Sequence, residues 1–169
     1  MKKFIKAAGY VIFGIYIILL LYLTLFWSIR SAWSNLSILE YAKSRSNFIP
    51  FKSIAMYIKM YKYGNSSVPI VNLVGNFLMF VPMGAFLPML FKKLHNFFAS
   101  MGVTFLFLAI IEVTQILTRR GSFDIDDLIL NMLGAVVGFL IQLIIRVVTN
   151  NSKNNFIEGR VETEDENIV

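Results

Sequence analysis

At 169 residues, 57% of them hydrophobic and 15% charged, with a mean hydropathy of +0.67, the chain has more apolar surface than a soluble domain of its size could bury. The absence of cysteine and the single histidine, His95, exclude disulfides, thiolate metal sites and zinc sites built on imidazoles. The net charge of +6 sits at the borders of apolar runs, which suits anionic lipid headgroups and leaves nucleic acid a poor partner.

In chain order, Lys2, Lys3 and Lys6 precede an apolar run over about 7–29, long enough to cross a hydrocarbon core of about 30 Å. No small-residue cleavage site follows, so the run reads as an uncleaved first span, with Trp27 and Trp33 as an interfacial aromatic belt. Residues 30 to about 69 are more polar, and Pro50 breaks any helix there. Beyond it Phe51, Ile54, Ala55, Ile58 and Tyr61 recur at helical spacing, with Lys52, Lys59 and Lys62 on another side. The pattern predicts an amphipathic helix, either lying in the membrane interface or packed on the other spans.

Three further spans are predicted at about 69–91, 97–118 and 125–148, the first of them kinked or broken by Pro82 and Pro88. The expected fold is an all-α membrane protein: one transmembrane domain over 7–148 with four spans in up-and-down order, plus the interfacial helix. The acidic stretch 150–169 is expected to be disordered. The N-terminal lysines and the short Lys92-Lys93 turn favour cytoplasmic termini and a multi-pass protein of the cytoplasmic membrane. Gly134 and Gly138 form a Gly-x-x-x-Gly pair suited to close helix packing, within the bundle rather than in a dimer.

Few polar side chains interrupt the spans, and their spacing carries the functional signal. Asn72 and Asn76 share a face at the start of the second span, and Glu112 and Gln115 share one near the end of the third. Asp124, Asp127 and Asn131 share another at the start of the fourth. Up-and-down topology brings all seven to one membrane boundary, the outer one if the N-terminus is inside. Arg119 and Arg120 are close enough in sequence to neutralise Glu112 or Asp124. One reading is that these groups only hold helices together. The other is a polar cleft in which Glu112, Asp124 and Asp127 hold a divalent cation such as Mg or Ca, in which Arg120 binds a phosphate-bearing headgroup, or in which Glu112 acts as a general base.

The same stretches carry a family resemblance. Asn47-Phe48-Ile49-Pro50-Phe51, Asn76 through Phe80-Val81-Pro82-Met83-Gly84, Glu112-Val113-Thr114-Gln115, and Arg120 through Phe123-Asp124-Ile125-Asp126-Asp127 to Asn131, Gly134 and Gly138 resemble the VanZ family in order and spacing. Pro82 and Gly84 join Gly134 and Gly138 as helix-packing positions. The resemblance implies a small bacterial membrane protein of the cell envelope, of a kind associated with reduced susceptibility to glycopeptide antibiotics such as teicoplanin. It does not specify a reaction. The expected function is a non-enzymatic envelope protein whose outer-face cleft binds a lipid-linked headgroup or cell-wall precursor. The alternatives are an intramembrane metal- or carboxylate-dependent enzyme acting on an envelope lipid, and a small transporter.

Overall fold

The computed structural model describes residues 2–25, 36–64 and 67–166. Among these residues six α-helices follow one another: α1 Lys2–Leu25, α2 Ile38–Arg45, α3 Lys52–Lys62, α4 Ser67–Leu90, α5 Phe97–Leu117 and α6 Ile125–Glu166. A single 3-10 turn, Lys92–Leu94, joins α4 to α5. Four of the helices are long and apolar enough to cross a membrane, over Lys3–Leu25, Pro69–Leu90, Phe97–Leu117 and Ile125–Asn151. The protein is an all-α, multi-pass membrane protein. Residues 26–29 of the expected first span, with Trp27 and Trp33, lie outside the described residues.

Two expectations need correcting. Of the kink or break expected at Pro82 and Pro88, a break is absent: α4 is a single helix from Ser67 to Leu90. Both prolines remove a helical hydrogen bond, but Pro88 is fully buried and stands between the buried Leu87 and Leu90, so packing against neighbours sustains the helix. The acidic tail, expected to be disordered, continues α6 as helix to Glu166. No proline follows Pro88 in the sequence. Extending an existing helix avoids the unfavourable nucleation step that an isolated polar segment would face.

Glycine sets the central packing. A Cβ on Gly84 would run into the carbonyl of Ala135, one on Gly134 into the carbonyl of Phe77, and one on Gly138 into that of Val81. The order of these contacts makes α4 and α6 parallel, with their backbones in direct apposition. In lipid this closeness matters, because dispersion contacts replace the hydrophobic drive that packs soluble helices. Around the seam lie the buried Phe80, Met83, Leu108, Ile111 and Ala135.

α1 runs antiparallel to α4 and is fixed to it by two tyrosines. Tyr10 Oη donates to the Leu90 carbonyl at 3.1 Å and Tyr16 Oη to the Met79 carbonyl at 2.8 Å. Leu90 closes α4, where carbonyls lack an intrahelical donor, so Tyr10 supplies one. The opposite side of α1, with Ile15, Ile18 and Leu19, is exposed apolar surface of the kind that faces lipid.

Candidate functional site at the polar end of the bundle

The end of α1, the start of α4, the end of α5 and the start of α6 lie at the same end of the molecule. Gln115 Nε2 donates to the Thr24 carbonyl at 2.8 Å, and Asn76 Nδ2 to Asp127 Oδ1 at 2.5 Å. The segment with α2 and α3 closes over this end, and the start of α6 holds it there.

Asp124 and Asp126 do the holding. Asp126 is 1% exposed, and its carboxylate accepts three backbone N–H groups at the start of α3: Phe51 at 2.5 Å, Ser53 at 2.7 Å and Ile54 at 3.1 Å. Phe51 precedes the first turn of α3 with a left-handed φ of 64° and makes no side-chain cap of its own. The orphan donors of that helix are therefore satisfied by a carboxylate from a different helix, which also complements the positive end of the α3 dipole. Asp124 accepts from Asn47 Nδ2 at 3.0 Å, from the Ser53 hydroxyl, and from the Asp126 backbone N–H at 2.9 Å, so it caps α6 while gripping α3. Asn47 adds a parallel backbone bridge, its N–H on the Phe123 carbonyl at 2.8 Å and its carbonyl taking the Ile125 N–H at 3.0 Å. Phe48 stacks on Phe123 beside it.

Apart from Ile54, the apolar series of α3 faces outward. Ser53 is buried and Ile54, Tyr57 and Met60 are half-buried, whereas Phe51, Ala55, Ile58 and Tyr61 are exposed. The capping bonds fix the rotation of the helix, and they turn Ser53 toward Asp124. The outward side carries an apolar hollow between Lys52, Ala55, Met56, Lys59, Met60 and Tyr63, apart from the buried carboxylates. Apolar side chains flanked by lysines suit a helix at the membrane surface.

The end of α5 is also pinned. Arg119 takes a left-handed φ of 55°, and the N–H groups of Arg119 and Arg120 return to the Ile116 and Gln115 carbonyls at 3.0 and 2.9 Å. This is the turn that glycine usually makes at a helix C-terminus. Tyr41 Oη, from α2, donates to the Arg119 and Gly121 carbonyls at 3.2 and 2.9 Å. α2 itself opens on a capping box, in which Ser37 and Glu40 satisfy each other's backbone N–H. The Ser37 hydroxyl, with its backbone N–H, holds the Glu40 carboxyl below the usual carboxylate range.

Glu112 and Asn131 are different. They are 5% and 7% exposed, and Glu112 Oε2 and Asn131 Oδ1 have no hydrogen-bond partner among the described residues. Both lie within membrane-spanning helices, Glu112 in α5 and Asn131 in α6. Asn131 follows Asp127 by one turn of α6, about 6 Å deeper on the same face. Asn72 is half-buried one turn before Asn76 on α4, and Gln115 and Arg120 are half-buried around the end of α5. Among the described residues no group of three His, Cys, Asp or Glu side chains is placed to hold a metal ion. Of the carboxylates considered from the sequence as cation ligands, Asp124 has its oxygens occupied with Asn47, Ser53 and the α6 amide.

Asp126, Asn47 and Ser53 were not among the residues picked out by span spacing. The signal available for them was the Asn-x-x-Pro-Phe and Phe-Asp-x-Asp-Asp pairing, two short polar motifs that meet in space.

Four spans, two short helices between the first and second, and buried polar side chains gathered at one end define a small polytopic membrane protein. The VanZ/LLP1 family model matches residues 13–146, from within α1 to within α6, and the chain belongs to that family. Comparison with curated proteins and with solved structures finds no match.

Proposed function

We propose that this VanZ/LLP1-family protein is a non-enzymatic component of a bacterial cell envelope, lying in the cytoplasmic membrane with both termini inside. Its polar end, at the outer leaflet, binds the headgroup of a lipid-linked envelope molecule and thereby lowers susceptibility to glycopeptides of the teicoplanin type. The observation that supports this reading is the buried Glu112 carboxylate with an unpartnered oxygen. A carboxylate used only to join helices is expected to have its oxygens paired, as those of Asp124 and Asp126 are. Arg120, half-buried at the rim, supplies positive charge for a headgroup phosphate.

The test is a susceptibility assay in a host without a VanZ-family protein, read together with membrane abundance. Glu112→Gln and Asn131→Ala are expected to abolish the phenotype at full abundance. Full resistance in both variants would overturn the reading. Resistance lost only along with the protein itself would assign the cluster to helix packing.

A further inference from the structure

The α2–α3 segment carries charge of one sign. Between Tyr41 and Gly64 stand Lys43, Arg45, Lys52, Lys59 and Lys62, with no acid among them. The acid just before them, Glu40, is committed to Ser37. Asp124 and Asp126, which reach α3 from α6, are turned to Asn47, Ser53 and backbone amides. Lys52 and Lys59 are exposed on α3, seven residues or about 10 Å apart and on one side of the helix. A hollow of about 590 Å³ lies open beside them, lined otherwise by Ala55, Met56, Met60 and Tyr63. That is the size of a small-molecule cleft. Tyr63, 90% exposed, stands one turn beyond Lys59.

We propose that this hollow binds an anionic phospholipid, with the phosphate between Lys52 and Lys59 and the upper part of an acyl chain against Ala55, Met56, Met60 and Tyr63. Cationic groups beside an apolar lining match an anionic amphiphile, and the place in the fold names the amphiphile. Asp126 holds the first turn of α3 at the polar end of the bundle, and the span Pro69–Leu90 begins shortly after α3 ends. The helix therefore lies at the level where the phosphates of a leaflet meet its acyl chains. Lysine stems are long and apolar, so they can lie along the wall of the hollow and bring two ammonium groups to one phosphodiester. An acidic peptide would supply the charge but leave the methionines facing water. A zwitterionic lipid would bring its own cation toward the lysines. The site is separate from Glu112 and does not depend on the headgroup reading of that group.

The test uses the purified full chain with phosphatidylglycerol and phosphatidylcholine of identical acyl chains, with retained lipid counted by native mass spectrometry. Phosphatidylglycerol should be retained over phosphatidylcholine by about ten-fold or more, the scale of two lysines near an anionic headgroup. Lys52→Gln combined with Lys59→Gln should remove that preference at an unchanged thermal midpoint, because both side chains are exposed. Lys92→Gln combined with Lys93→Gln, in the turn at the opposite end of α4, should keep it. Met56→Ser should lower retention of both lipids alike. A preference that survives loss of Lys52 and Lys59, or that falls equally with loss of Lys92 and Lys93, would overturn the site. Retention unchanged in Met56→Ser would overturn the seat for the acyl chain. Displacement of the lipid by glycerol phosphate at a comparable concentration would assign the lysines to a soluble anion and overturn the lipid source.

Discussion

The Asp126 carboxylate accepts the Ser53 backbone N–H at 2.7 Å across 73 residues of chain, so the first turn of one membrane-spanning helix caps the first turn of a surface helix. That bond, with its neighbours to Phe51 and Ile54, ties the α2–α3 segment to the bundle. It makes the Asp-x-Asp motif a structural clasp and separates it from Glu112, one helix away.

Asp126→Ala should therefore leave buried backbone donors without an acceptor and lower stability by about 2–4 kcal/mol, the combined scale of a lost cap and unsatisfied amides. The measurement is the thermal midpoint of the purified protein, with limited proteolysis over residues 47–64. A lower midpoint with faster cleavage in that segment is expected, and unchanged protection there would contradict the clasp.

The α4–α6 seam gives a second expectation. Gly84→Ala and Gly138→Ala place a methyl group against backbone that cannot rotate away, a cost of about 1–3 kcal/mol. Gly102→Ala has free space and should be neutral or stabilise α5 by up to about 1 kcal/mol. Thermal midpoints of the three variants decide it. Equal behaviour would mean that the helices are not in backbone contact.

Tyr10→Phe and Tyr16→Phe each remove one hydrogen bond from α1 to α4 while keeping the ring. Each should lower stability by about 0.6–2 kcal/mol, as found for polar contacts between membrane helices. Resistance to detergent-induced unfolding provides the readout, with Tyr16→Phe expected to be the more damaging because its bond is the shorter one. No change in either variant would show that apolar packing alone seats α1.

Apolar run length was enough to read four spans from the sequence, because few soluble structures tolerate such runs. Residue spacing and topology also placed Asn76 and Asp127 at one membrane boundary, and the structure joins the two by a hydrogen bond. The clasp was not readable in the same way. Asp126 bonds to backbone amides, which every residue carries, and Ser53 carries no periodic signal. The rotation of α3 was left open for a related reason: hydrophobic spacing allowed Phe51, Ile58 and Tyr61 to face either lipid or the other spans, and capping bonds turn Ser53 in and leave those three exposed. The unbroken α4 and the long α6 depend on tertiary packing and on helix extension, neither of which a local proline or charge count contains.

The central claim is that Glu112 is kept for binding and not for stability. The most direct measurement is the thermal midpoint of purified Glu112→Gln in the absence of added ligand. The substitution keeps the shape while replacing a buried carboxyl whose second oxygen has no partner. An equal or higher midpoint is expected, as for a site whose function opposes stability. A midpoint lowered by as much as that of Asp126→Ala would contradict the claim and make Glu112 one more fastening of the bundle.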